Sequence, residues 1–247
     1  MRILLLIFSF SVSSLFAGQP DSLKTKKWGI GLTYSPDYCY RASYIKDGDV
    51  PTTTITEKGK LGFTAGANIL YRLLDKVGIE FGILYSTKGQ KISTPSAEWQ
   101  TPGSNYDPSI PTYSQSTYVT IPEKVNTYTY KYLEIPLKIN VYLINKRFKL
   151  FPSIGCSANI FMGKSTHTSL KYEEGSKNET SNAYDAKNIP STEFALLAGF
   201  GLSYDINKKI FIKLEPSYRT FVRPIIDGAV SGTFYSVGAN AGVYFNL

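Results

Sequence analysis

Apolar and polar residues alternate in eight stretches of this chain, and the last alternation runs to the final residue. There Tyr235, Val237, Ala239, Ala241, Val243, Phe245 and Leu247 face one way, and Ser236, Gly238, Asn240, Gly242 and Asn246 the other. A period of two marks a β-strand with two unlike faces. The first stretch sets Trp28, Ile30, Leu32 and Tyr34 against Gly29, Gly31, Thr33 and Ser35; the second sets Leu61, Phe63, Ala65, Ala67, Ile69 and Tyr71 against Gly62, Thr64, Gly66 and Asn68. In the third, Val77, Ile79, Phe81, Ile83 and Tyr85 oppose Gly78, Glu80, Gly82 and Ser86. In the fourth, Leu133, Ile135, Leu137, Ile139, Val141 and Leu143 oppose Glu134, Lys138 and Asn140. Leu150, Ile154, Ala158, Ile160 and Met162 form the fifth apolar row, and Phe194, Leu196, Ala198, Phe200, Leu202 and Tyr204 the sixth. The seventh sets Ile210, Ile212, Leu214 and Tyr218 against Lys213, Glu215, Ser217 and Arg219.

The connections alternate in length. Residues 73–76, 144–146 and 205–209 read as tight polar hairpin turns, whereas 39–60, 89–126, 163–191 and 221–232 read as long loops. The 89–126 segment carries Pro95, Pro102, Pro108, Pro111 and Pro122 among Ser, Thr and Tyr, and little apolar material to pack. Running from within it into the fourth strand, 112–130, rich in tyrosine, is positioned to prolong that strand and to offer a β edge or aromatic platform to a protein or glycan. Short turns at one end and long loops at the other predict an all-β, eight-stranded antiparallel up-and-down transmembrane β-barrel with both termini beside the short turns.

Alternation does not say which face is outside, and a soluble secreted lipocalin-like barrel carries the same pattern with an apolar interior. Three features favour the membrane form. The polar face is built from small Gly, Ser, Thr and Asn, which suit the narrow lumen of eight strands. Its charges have both signs, and Glu80, Glu134, Lys138, Lys213, Glu215 and Arg219 are expected to pair across the lumen as a structural network. Aromatic residues sit toward the ends of the apolar rows, as in the girdles of membrane barrels.

The N-terminus agrees with export. Arg2 precedes an apolar run over 3–10, and the Leu15-Phe16-Ala17 end predicts a secretory signal, residues 1–17, ahead of a barrel domain over 18–247. That run is shorter than the roughly 20 residues of a spanning helix. The net charge of +8 is scattered, without the stripe that nucleic acid demands, so anionic lipid or glycan is the expected counterpart. Cys39 and Cys156, the two cysteines, are expected to remain unpaired.

The fourth strand, Tyr132-Leu133-Glu134-Ile135-Pro136-Leu137-Lys138, resembles the YLEIPL signature of the Bacteroidetes outer-membrane β-barrel family called PorT-like. The resemblance implies residence in the outer membrane and insertion by the barrel-assembly machinery through the C-terminal strand. This chain departs from it in ending on Leu247, with Phe245 two residues earlier. The founding relative is tied to type IX secretion, a role not carried over, because fold does not fix function.

Catalytic chemistry is thinly represented. His167, the single histidine, follows the fifth strand with Ser165 and Ser169 nearby, so an outer-membrane lipid hydrolase or acyltransferase using His167 is the enzymatic alternative. No paired acid accompanies it. One histidine and two distant cysteines give no metal-ligand spacing, and no cofactor is implied. The expectation is therefore a non-enzymatic barrel that acts through its extracellular loops.

Overall fold

A computed structural model describes residues 27–45, 56–95, 97–101, 117–121, 123–171, 177–184, 189–225 and 230–247. The signal segment expected over 1–17 lies outside them. The strands are β1 (Trp28–Ile45), β2 (Thr56–Leu74), β3 (Val77–Thr94), β4 (Ala97–Thr101), β5 (Thr117–Ile121), β6 (Glu123–Val141), β7 (Ile144–Asn145), β8 (Phe148–Lys171), β9 (Lys177–Tyr184), β10 (Thr192–Asp205), β11 (Ile210–Phe221) and β12 (Val230–Asn246). No helix among the described residues is long and apolar enough to cross a membrane.

Eight of these strands, β1, β2, β3, β6, β8, β10, β11 and β12, close into an antiparallel ring. Two seams complete it. β12 pairs with β11 on one side and with β1 on the other, from Gly29↔Asn246 to Ile45↔Val230. β8 pairs with β10 from Ile160↔Thr192 to Phe148↔Tyr204. Closure satisfies the backbone groups that hydrocarbon leaves without partners, so a barrel, unlike an open sheet, is stable in a bilayer.

The apolar rows face outward. Leu32 is 71% exposed, Leu61 73% and Ile154 66%. Such a belt would aggregate in water and suits acyl chains. Trp28 and Tyr71 lie 4.5 Å apart at the end that carries the tight turns; Tyr34, Phe63 and Tyr85 form a second group toward the other end, with ring centroids 6.1 and 5.9 Å apart. Aromatic rings at both rims frame the lipid-facing band.

The loops expected over 39–60, 89–126 and 163–191 are in large part strand. β1 continues to Ile45, β2 begins at Thr56, β3 runs to Thr94 and β6 starts at Glu123. β8 extends to Lys171 and turns back as β9, which pairs with it from Lys164↔Tyr184 to Lys171↔Lys177. Of the 112–130 stretch expected to prolong the fourth strand, 123–130 does so as the start of β6, whereas 117–121 forms β5 and pairs with β4 in a separate two-stranded sheet. The barrel wall is therefore uneven. It stands high along β2–β3–β6–β8–β9 and low along β10 and β11.

Two register shifts adjust the wall toward the extracellular end, one between β2 and β3 near 59–64 and one at Lys131/Tyr132 against β8, and a third lies at Arg72/Leu74 beside the tight turn between β2 and β3. At the second, Tyr132 faces Phe161 and Lys131 faces Gly163, leaving Met162 as the extra residue. A bulge of this kind flips the faces beyond it. Ser153, Ser157 and Asn159 point inward below it, and Thr166 does so above.

A cation placed in the lipid-facing band tests the orientation directly. Leu214→Arg, near the middle of β11, is expected to lower stability by about 2–4 kcal/mol in urea unfolding from lipid vesicles, whereas Leu214→Phe stays close to the parent.

Candidate functional site

The lumen is where the inward rows meet, and its centre is built from charge. Lys138 Nζ lies 3.1 Å from Glu80 Oε1 and 3.0 Å from Glu215 Oε2. Lys213 Nζ lies 2.8 Å from Glu215 Oε2 and bonds Glu80 as well. Two cations and two carboxylates thus form a closed square. Asn140 donates to Glu80 at 3.1 Å, and the Tyr244 hydroxyl donates to it at 3.2 Å. A second neutral cluster lies toward the extracellular end. Arg219 Nη1 donates to Asp37 Oδ1 at 2.6 Å, its Nε lies 3.9 Å from Glu134, and Lys88 Nζ lies 3.3 Å from the other oxygen of Glu134. Ser35 donates to Asp37, and the second amino group of Arg219 reaches Asn240.

The charged side chains of both clusters are all buried, Glu80, Glu134 and Glu215 to 1% exposure. Burying an ion is costly, and the mutual attraction offsets that cost only when each remaining lone pair and proton is bonded. The glycines of the inward rows make that packing possible. A Cβ on Gly199 would stand 2.7 Å from Ser153 Oγ and 2.8 Å from Glu215 Oε1, and one on Gly238 would strike the Asp37 carboxylate. Space left by glycine is occupied by charge.

Rings close the lumen above and below. Toward the tight turns, Leu70, Phe211 and Tyr244 form one apolar layer, with Phe211 and Tyr244 stacked at 4.9 Å and Phe151 against Tyr142 at 5.3 Å. Toward the extracellular end, Tyr130, Tyr132, Phe221, Phe234 and Ile225 form another, with Tyr132 edge-on to Phe221 at 5.5 Å. Lys213 stands 4.9 Å over the Phe151 ring and Lys88 5.7 Å over Phe221, so each charge cluster is tied to an adjacent layer by a cation–π contact. Between the layers remains a cavity of about 20 Å³, lined by Glu80, Lys138, Lys213 and Glu215 among others, enough for about one water.

The structure brings all six expected network residues, Glu80, Glu134, Lys138, Lys213, Glu215 and Arg219, into these two clusters. Asp37 and Lys88 complete the second cluster and were missed by sequence reasoning, as were the aromatic layers. Their signal is parity, since each lies on the face of its strand that carries the glycines or charges. Lys149 and Asp205 pair near the tight turns, and Arg41 and Glu57 pair near the rim. His167 lies on the outward face of β8, opposite Thr127 and Ser181. Cys39 and Cys156 are free thiols, the first buried and the second exposed. No group of three or more His, Cys, Asp or Glu among the described residues is arranged to hold a metal ion.

Residues 16–220 match the family described as outer membrane protein beta-barrel domain. The chain belongs to that family. It is accordingly an outer-membrane protein. Among solved structures it is similar to Neisserial surface protein A, at 14% identity over 89% of this chain and 97% of that one, TM-score 0.41. It is also similar to OprG from Pseudomonas aeruginosa, at 10% identity over 92% and 100%, TM-score 0.38. A third similarity is to the outer membrane protease OmpT from Escherichia coli, at 8% identity over 93% and 99%, TM-score 0.42. No curated protein matches the chain.

Removing one member of the square leaves an uncompensated buried charge. Lys213→Met is expected to lower stability by about 3–5 kcal/mol, and Glu80→Gln in the same chain to restore a large part of it. Urea unfolding of the two single variants and the double variant gives the coupling.

Proposed function

We propose that this protein is a non-enzymatic outer-membrane anchor that holds a raised extracellular β-sheet for a protein or glycan partner. The sealed lumen carries this reading: two neutral charge clusters between two aromatic layers leave about 20 Å³, far less than a solute path needs. With no route through the barrel, the surfaces available for function are those outside it. The high wall of β2–β3–β6–β8–β9 supplies one, and β9, paired with β8 alone among the described residues, leaves a strand edge of the kind that accepts an added strand. In the same reading, residues 1–17 are removed on export, the barrel-assembly machinery takes up the chain through β12, and the YLEIPL stretch over 132–137 supports kinship with the PorT-like barrels of Bacteroidetes.

Two measurements test the proposal. The purified protein in planar bilayers is expected to show no stable conductance; a sustained open pore contradicts it. Crosslinking in native membranes is expected to yield an adduct that disappears when residues 96–122 are replaced by a short turn, with the heat-modifiable gel shift of the folded barrel unchanged. An adduct that survives the replacement removes the proline-rich hairpin from the binding surface.

A further inference from the structure

The outward face of β2, β3 and β6 changes character where it leaves the aromatic row. Tyr85 and Leu133 are register partners at the upper edge of the lipid-facing band. Two residues farther along β6, Lys131 points the same way and is exposed. Farther out, Lys60 lies over Gly89, where a Cβ would stand 3.3 Å from its Cδ, and beyond it Lys58 and Lys91 are exposed register partners on β2 and β3. With about 3.3 Å per residue and a strand tilt of about 40°, Lys131, Lys60 and the Lys58–Lys91 pair stand roughly 5, 10 and 15 Å above Tyr85. They form a ladder of ammonium groups rising through the headgroup layer.

Like charges directly opposite one another destabilise a sheet, and the four ammonium groups outnumber the acids near them. Among the described residues of β2, β3, β6 and β8 beyond the aromatic row, the acids are Glu57 and Glu123. Glu57 bonds Arg41 on the inner face. Glu123 accepts from Ser93 at 2.9 Å, lies 3.5 Å from Lys171 and is also attracted by Lys58, so a single carboxylate is shared between two ammonium groups. The same outward face carries Thr127, Thr129 and Ser165, with Thr127 and Thr129 cross-strand from Lys91 and Gly89. Cations matched with hydroxyls suit a ligand that is both phosphorylated and sugar-rich. An ordinary phospholipid offers one phosphate at one depth, whereas this ladder covers roughly 10 Å of height by the same rise.

We propose that Lys58, Lys60, Lys91 and Lys131 bind the phosphates of an outer-leaflet glycolipid, whose sugars lie along Thr127, Thr129 and Ser165. The site rests on residence in the outer membrane and is independent of any partner at the raised sheet, so either assignment can fail alone. Binding of lipopolysaccharide to the purified full-length barrel in a neutral detergent tests it. The parent is compared with Lys58→Ser/Lys91→Ser, Lys60→Ser/Lys131→Ser, the fourfold variant, and Lys208→Ser/Lys209→Ser in the turn at the opposite end. The fourfold variant is expected to lose at least tenfold in affinity and most of its salt dependence, each double variant to fall between, and the turn variant to match the parent. Lipopolysaccharide stripped of phosphate is expected to bind the parent about as weakly as the fourfold variant binds the intact form. Should the fourfold variant not fold, as read by its gel shift, the two doubles carry the test. Unchanged binding by the folded lysine variants, or equal binding of stripped and intact lipopolysaccharide, overturns the proposal. Equal competition by phosphatidylglycerol vesicles or inorganic phosphate assigns the site to phosphate alone and overturns the glycolipid assignment.

Discussion

Hydrocarbon offers a peptide group no hydrogen-bond partner, and the architecture of this protein follows from that constraint. Each strand that enters the bilayer must be bonded on both sides, so the sheet has to close, and β12 must meet β1 as well as β11. Closure with eight strands fixes a narrow lumen. The lumen then dictates what its walls can carry: small residues where the opposite wall projects inward, and large or charged ones where it recedes. Gly199 beside Glu215 and Gly238 beside Asp37 are the two halves of that arrangement.

Charge in such a place is stable only in balanced sets. The Glu80–Lys138–Lys213–Glu215 square and the Asp37–Arg219–Glu134–Lys88 cluster are each neutral, and their members come from strands far apart in the chain. Arg219 and Asp37 are separated by 182 positions. Pairing across the lumen makes the correct ring of strands the one in which no buried ion is stranded. A strand shifted by one residue would turn Lys213 and Glu215 into the acyl chains and Ile212 and Leu214 into the lumen. The clusters thus specify register as much as they contribute stability, and they also block the passage that a wider barrel would leave open.

Strand order, closure and the choice of face were legible in the sequence because inside the bilayer the two environments differ so strongly. Ten residues of alternation leave little choice, and the six named network residues follow from it. What lies beyond the bilayer was hidden for the same reason. Along 163–171 and 123–131 the outer face meets water or headgroups instead of acyl chains, so Ser, Thr and Lys fall on either side and the period of two no longer separates them. The bulge at Met162 exchanges the faces of β8 midway. Asp37 follows Pro36, which interrupts the pairing pattern around it, and Phe151, Phe211 and Tyr244 share the glycine face although their chemistry matches the other. They pack inward because glycines opposite leave room: a Cβ on Gly31 would meet the Tyr244 ring, and one on Gly201 the Phe151 ring.

In the proposed reading, a barrel closed in this way separates two tasks. The membrane-spanning part holds position, and the uneven rim, high along β2–β3–β6–β8–β9, meets the outside. Solid-state NMR of the unmodified protein in bilayers, reading water exchange at the lysine ammonium groups, tests the sealed and paired lumen most directly. The account predicts slow exchange at Lys138 and Lys213 and fast exchange at Lys208 and Lys209 in the exposed turn. Equally fast exchange at all four would show a wetted, open lumen and contradict it.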